Sequence, residues 1–278
     1  MIDYTPNDIA KLAAKYVNST NRHIFLTGKA GTGKTTFLRY IVQHTHKNCV
    51  VAAPTGIAAI NAGGVTLHSL LQLPFGTFVP ENIPPQASET QINTPASIGR
   101  DRRFNADKRK LIQELELLII DEVSMLRADL LDCIDQTLRQ IRRRRHEPFG
   151  GLQILFIGDL MQLPPVVKDT EWGLLQKYYK SPYFFESRAL KENAPIRVEL
   201  KEIYRQSDEK FIDLLNRLRH NEQNEYDYED LNKYFSEGVE NMEMPGYIHL
   251  TTHNKKADHI NQTRLEQLAT DERRYVAD

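Results

Sequence analysis

Short unbroken apolar runs alternate along this chain with stretches whose apolar positions recur at helical spacing. The runs are His23-Ile24-Phe25-Leu26, Cys49-Val50-Val51-Ala52-Ala53, Leu115-Glu116-Leu117-Leu118-Ile119-Ile120 and Gln153-Ile154-Leu155-Phe156-Ile157. Runs of this kind suit strands buried on both faces, as in a parallel sheet. Residues 5–20 read as a helix, with Pro6 at an opening turn and Ile9, Leu12, Ala13, Tyr16 and Val17 on one stripe. Further helices are predicted over Thr36–Val42, over Ile57–Ala62 (ended by Gly63-Gly64) and along the stripe Leu130, Ile134, Leu138, Ile141. Strand and helix in alternation imply a doubly wound parallel sheet, which binds its ligands off the carboxyl ends of its strands.

Two regions break the rhythm. From Gln72 to Ala106 five prolines fall among few apolar positions in register (Pro74, Pro80, Pro84, Pro85, Pro95). This reads as a loop-rich insert with room for short strands, and a loop so long is either functional or a solvated surface segment. Later, Ile196-Arg197-Val198-Glu199-Leu200 is expected to start a second unit. A helix carrying Phe211, Leu214, Leu215 and Leu218 follows, then a polar, acidic stretch over 220–245. The strand Tyr247–Thr251 and a helix over 254–268 come last. The predicted division is 1–195 and 196–278, with 72–106 inserted in the first part.

The chain has 278 residues, enough for about two domains, and 40 % of them are hydrophobic. No apolar run approaches the ~20 residues that span a bilayer. The opening Met1-Ile2-Asp3-Tyr4-Thr5 lacks the basic and apolar regions of a secretion signal, so an intracellular location is expected. Cys49 and Cys133 have no Cys or His neighbour at metal-ligand spacing, which argues against zinc and for core packing. A net charge of −1 requires any basic groove for nucleic acid to be local.

The candidate chemistry gathers at the predicted strand ends. Gly28-Lys29-Ala30-Gly31-Thr32-Gly33-Lys34-Thr35 follows the first strand and opens a helix, the context of a phosphate-binding P-loop. Glycines let successive N–H groups turn inward on a polyphosphate. Lys34 is placed to reach the outer phosphates and the Thr35 hydroxyl to hold Mg²⁺. Asp121-Glu122 ends the third run: the aspartate can support the metal, and the glutamate can orient or deprotonate water. Gln162, in Gly158-Asp159-Leu160-Met161-Gln162-Leu163-Pro164-Pro165, can contact a γ-phosphate. Arg142–Arg145 closes a helix, where cations suit the dipole, and structural placement explains it better than a DNA contact.

Taken in order, several segments resemble one family. Gly28–Thr36, Ala53–Ala59, Val65-Thr66-Leu67-His68-Ser69, Ile120–Met125, Gly158–Pro165 and Tyr204-Arg205-Gln206 are similar to the ordered motifs of superfamily-one helicases of the RecD-like branch. Pro148-Phe149-Gly150-Gly151-Leu152-Gln153 points within that branch to the Pif (petite integration frequency) helicases. The resemblance covers residues 22–219. It implies a RecA-like P-loop NTPase sheet flanked by helices, an inserted wedge subdomain and the start of a second RecA-like domain. It also implies ATP and Mg²⁺ as cofactors, single-stranded and tailed duplex DNA as partners, a monomeric 5′–3′ motor, and work in DNA repair, recombination and telomere maintenance.

By motif position, Gly28, Ala30, Gly31, Thr32, Gly33, Lys34, Thr35 and Thr36 would bind the nucleotide, and Thr35 and Asp121 the metal. Glu122 would be the catalytic base, Gln162 the γ-phosphate sensor and Arg205 an arginine finger. Pro54, Thr55, Gly56, Thr66 and His68 would face the DNA strand. Read without the resemblance, His68 is better explained as a satisfied buried histidine, and Phe75 and Phe78 suit either base stacking or the insert's own core.

Two departures stand out. The family's adenine-reading glutamine has no counterpart, Asn7 and Asp8 occupying that region. No later motif supplies a second catalytic arginine, so the chain is expected to stop inside the second RecA-like domain. An arginine finger contributes about 10³–10⁵ in rate, which makes slow DNA-stimulated turnover the expectation for this chain alone. Two other readings use the same P-loop: an ATP-gated clamp that grips nucleic acid without moving, and a small-molecule kinase with an arginine lid at Arg142–Arg145.

Overall fold

The computed structural model describes residues 6–82, 91–100, 104–204, 208–235, 248–270 and 273. It divides into two compact units, Met1–Ile212 and Asp213–Asp278. The first unit opens with α1 (Asp8–Ser19), β1 (Ile24–Gly28), α2 (Lys34–His44), β2 (Cys49–Ala53), α3 (Gly56–Ala62), β3 (Val65–Thr66) and α4 (Leu67–Leu71). The insert holds β4 (Thr77–Phe78), β5 (Ile92–Asn93) and α5 (Pro95–Arg100). After α6 (Ala106–Glu114) and β6 (Leu117–Ile120) come α7 (Ala128–Ile141), β7 (Gln153–Ile157), α8 (Asp169–Leu175), α9 (Arg188–Glu192) and β8 (Ile196–Leu200). The helix α10 (Glu209–His220) runs across the boundary between the units. The second unit continues with α11 (Glu225–Asn232) and α12 (Asn254–Glu266).

Six strands form one sheet in the order β3-β2-β6-β7-β1-β8, and every pairing in it is parallel. The unbroken apolar runs have a simple cause, because successive side chains enter opposite cores. Phe25, Leu118, Ile120, Ile154 and Phe156 pack on one face with α4, α6 and α7. Ile24, Leu26, Leu117, Ile119, Leu155 and Ile157 pack on the other with α1 and α2.

Two expectations are corrected. Ile196–Leu200 does not start a second unit: it is the sixth strand of the first sheet, with Ile24 to Gly28 in register against Ile196 to Leu200. Val198 and Leu200 point into the core while Arg197 and Glu199 are paired in solvent, 3.0 Å apart. That alternation is what an edge strand requires, and sequence alone does not say which sheet it edges. The strand expected over 247–251 is also absent: Ile248–Thr251 is not a strand, and Tyr247 lies outside the described residues. Elsewhere α1 starts at Asp8, two residues after Pro6, because the Asn7 side chain accepts the Ala10 N–H at 2.9 Å and caps the helix.

The insert contains the short parallel pair β4–β5, with Thr77 and Phe78 buried. It is tied to α7 by a buried polar network. The Phe78 N–H donates to Asp129 at 3.0 Å, Thr77 Oγ1 to Glu171 at 3.2 Å, and Arg127 bridges both carboxylates. Along the same helix, Asp132 accepts from Tyr179 OH and from the N–H groups of Arg188 and Ala189. Asp135 accepts from the Phe149 N–H and pairs with Arg139. Each buried carboxylate thus satisfies backbone donors of a neighbouring loop that would otherwise be orphaned. Arg142 does the same for carbonyls, donating to those of Ile112, Gln113, Leu115 and Gly150. It pins the end of α6 to the turn after α7, so the structural reading of Arg142 holds and this residue is no mobile lid.

His23 anchors the bottom of β1. Its Nδ1 accepts the Ile154 N–H at 3.1 Å, and its ring meets Phe149 edge-on at 5.0 Å. Burial, helped by the Arg22 charge, lowers its pKa to about 4. The unfolded chain therefore binds more protons than the folded one between about pH 4 and 6.5. This contribution is complete above pH 6.5 and is lost as the pH falls, amounting to about 2 kcal/mol by pH 5. Denaturant unfolding at pH 7 and pH 5 should show a larger loss for the native chain than for His23→Asn, which keeps an acceptor but does not titrate.

Candidate functional site

Parallel pairing sends the ends of β1, β2, β6 and β7 to one edge of the sheet, and the expected site residues lie there. The loop after β1 is shaped by close packing. A Cβ on Gly28 would stand 2.6 Å from the Leu200 carbonyl oxygen and 2.6 Å from Thr32 Oγ1, so only glycine fits beside β8. Thr32 is buried and its hydroxyl donates to the Lys29 carbonyl at 2.9 Å, closing the turn. Gly33 takes φ 87°, a left-handed angle that favours glycine, and passes the chain into α2.

The N-cap Gly33 has no side chain to cap α2, and the helix's first residues Lys34, Thr35 and Thr36 line a cavity of about 350 Å³. An anion can serve as the missing cap. Lys34 Nζ lies 2.8 Å from the Gly28 carbonyl and 3.0 Å from that of Lys29, at the mouth of the loop. Ala30, Gly31, Glu122, Gln162 and Tyr204 complete the lining. Tyr204, the first residue of the segment Tyr204-Arg205-Gln206, is a lining residue that motif position does not assign. Its backbone N–H donates to the Gly31 carbonyl at 2.8 Å, and its hydroxyl bonds to Glu202, which also bonds to the Asn7 side chain. Arg205 lies outside the described residues.

Asp121 and Glu122 follow β6 directly. Burial raises the Asp121 pKa to about 6, and the Glu122 charge adds to this, while the Glu122 N–H and Lys34 oppose it. A carboxylate in this setting favours a nearby cation. Glu122 adopts φ 51°, ψ 43°, a left-handed conformation rare for a side chain of its size, which turns it away from the strand direction. Gln162 is exposed on the loop after β7, held by Asp159, whose carboxylate accepts from the Met161 N–H at 3.1 Å. Among the described residues no group of three or more His, Cys, Asp and Glu is placed to share a metal ion. No described helix is long and apolar enough to cross a membrane.

Beside this cavity, Thr55 and Thr66 cap α3 and α4, accepting the N–H groups of Ala58 and Ser69 at 3.3 and 3.1 Å. Their hydroxyl protons remain available to an outside acceptor. His68 is half-buried, stacks on exposed Phe75 at 5.7 Å, and has its pKa lowered by burial, so it presents a neutral ring. Phe78 is buried in the core, which removes it as a stacking platform.

Known proteins share this arrangement. Residues 7–229 match the model of the PIF1-like helicase family. The chain is 37 % identical over 203 residues to the ATP-dependent DNA helicase PIF1 of Saccharomyces cerevisiae, covering 71 % of this chain and 21 % of that protein. It is 33 % identical over 261 residues to PIF1 of Danio rerio, covering 93 % and 36 %. The crystal structure of the Pif1 helicase from Bacteroides in complex with ADP-AlF3 and single-stranded DNA superposes with a TM-score of 0.84 at 38 % identity, over 97 % of this chain and 59 % of that one. The sheet and its loops therefore have the RecA-like P-loop NTPase fold, and the chain spans only part of the length of these relatives.

The loop geometry yields a direct check. Gly28→Ala should cost about 1–3 kcal/mol in unfolding free energy through overpacking. Gly56→Ala, where a Cβ meets nothing within 4 Å, should leave stability unchanged or slightly raised. Equal melting temperatures for the two variants would contradict the packing described.

Proposed function

Because the chain belongs to the PIF1-like helicase family, we propose that it carries the ATP-hydrolysing and strand-gripping half of a 5′–3′ DNA helicase motor. The observation that carries this reading is one cavity bordered by the P-loop, Glu122, Gln162 and Tyr204. In it the open N–H groups of α2 and the Lys34 ammonium receive the β- and γ-phosphates of ATP. The Tyr204 ring offers a face for the base. Thr35 and Asp121 hold Mg²⁺, a hard cation that suits one hydroxyl, one carboxylate and phosphate oxygens. When bound, the ion neutralises phosphate charge as it develops. Glu122 takes a proton from the attacking water, and Gln162 contacts the γ-phosphate. Arg205, by motif position, is the arginine finger.

Pro54, Thr55, Gly56, Thr66 and His68 form the track for single-stranded DNA. Small hydroxyl donors and backbone N–H groups suit a sugar-phosphate chain, and a neutral histidine stacked on Phe75 suits a base. The pair β4–β5 belongs to the wedge, held on α7 by Asp129 and on α8 by Glu171, and Asp213–Asp278 begins a second RecA-like domain.

The test is DNA-stimulated ATP turnover with three variants. Glu122→Gln should lower kcat by about 10²–10⁴ while ATP still binds. Lys34→Ala should abolish nucleotide use. His68→Ala should weaken oligonucleotide binding by about 1–3 kcal/mol without changing nucleotide affinity. Oligonucleotide binding should also fall steeply with salt. Turnover by Glu122→Gln at the native rate, or no response to oligonucleotide, would refute the reading. Strand separation on a 5′-tailed duplex distinguishes a motor from a clamp.

A further inference from the structure

A second cavity, of about 540 Å³, adjoins the first, and Thr35, Glu122 and Gln162 line both. Away from that shared wall it is bordered by Arg39, Asn61 and Ser124. Arg39 lies four residues after Thr35, so the two share a face of α2 while Phe37, Leu38 and Ile41 are buried in the core. Its guanidinium is exposed and forms no hydrogen bond or ion pair among the described residues. Arg127, Arg139 and Arg142 contrast with it, each being tied to carboxylates or carbonyls. Ser124 is buried, and its hydroxyl has no partner among the described residues. Two donors without acceptors therefore border a cavity that begins at the catalytic wall.

We propose that this second cavity receives the inorganic phosphate produced by hydrolysis and releases it past Arg39. The inference rests on the nucleotide reading given above. Water adds to the γ-phosphorus, the bond to the β–γ bridging oxygen breaks, that oxygen stays with ADP, and the water's proton passes to Glu122. The freed phosphate then stands at Thr35, Glu122 and Gln162, with ADP filling the P-loop side behind it. The second cavity offers the anion the exposed Arg39 guanidinium, a positive charge with no acceptor among the described residues. That charge draws the anion into the second cavity. Ser124 and Asn61 supply hydrogen-bond donors on the way.

The experiment measures binding of inorganic phosphate to the chain saturated with Mg·ADP, by isothermal titration, for the native chain, Arg39→Ala and Arg39→Glu. Arg39 is exposed, so both variants should fold, and unchanged ADP affinity verifies it. Arg39→Ala should weaken phosphate binding at least tenfold and Arg39→Glu should abolish it, with ADP affinity unchanged within twofold. Equal phosphate affinity in all three would overturn the proposal. An arm with a short oligo-dT identifies the other source of a phosphate group. If the Arg39 variants lose oligonucleotide affinity and keep phosphate affinity, the cavity serves a DNA phosphate and the release route is wrong. If the native chain fails to bind Mg·ADP, the nucleotide reading itself fails, and that result is distinct from a loss confined to phosphate.

Discussion

Parallel hydrogen bonding of β1 to β7 on one side and β8 on the other is the constraint on which the rest of the first unit depends. With both neighbours running the same way, the chain leaving β1 emerges beside the chains leaving β7 and β8. The loop at Gly28 is pressed against the Leu200 carbonyl, the residue at 204 is bonded to Gly31, and Gln162 stands across the cavity. The same parallel arrangement brings Asp121 to that edge, with its N–H bonded to the Ala52 carbonyl. The site is thus a product of strand direction before it is a product of any single motif.

The helix α7 supplies the second level of order. It starts within a few residues of Glu122 and carries Asp129, Asp132 and Asp135 on its buried side. Burying a carboxylate is costly unless it is hydrogen-bonded, and each of these three accepts backbone N–H groups from a different segment. The insert, the start of α9 and the turn at Phe149 are held by this one helix. Burial still raises the Asp132 pKa to about 6, so its N–H donors only partly offset desolvation. Segments with little regular structure of their own are positioned in this way relative to the sheet.

Two cavities with a common wall follow from these placements. One side of Glu122 faces the P-loop, and the other opens toward Arg39, Asn61 and the first turn of α3. Glu122, whose backbone is left-handed, borders both. Thr55, which caps α3, lines the second cavity, and Thr66 caps α4.

Much of this was legible in the residues alone. Unbroken apolar runs identified β1, β2, β6 and β7, because a strand buried on both faces has no polar side to show. Gly28–Thr35, Asp121-Glu122 and Gln162 marked the strand ends, because their residue types stand at short, recognisable spacing, and residues from all three line one cavity. The membership of β8 was not legible. Its alternating pattern specifies an edge but not which edge, and that was decided by hydrogen bonding to a strand far away in sequence. The same holds for Phe78, whose place in the core depends on its N–H meeting Asp129, and for Arg39 and Ser124, whose chemistry has no local signature. Sequence determined the periodicity and the local loop chemistry, which act over a few residues. Tertiary structure decided partnership, burial and shared walls, because those depend on which distant segments end up side by side.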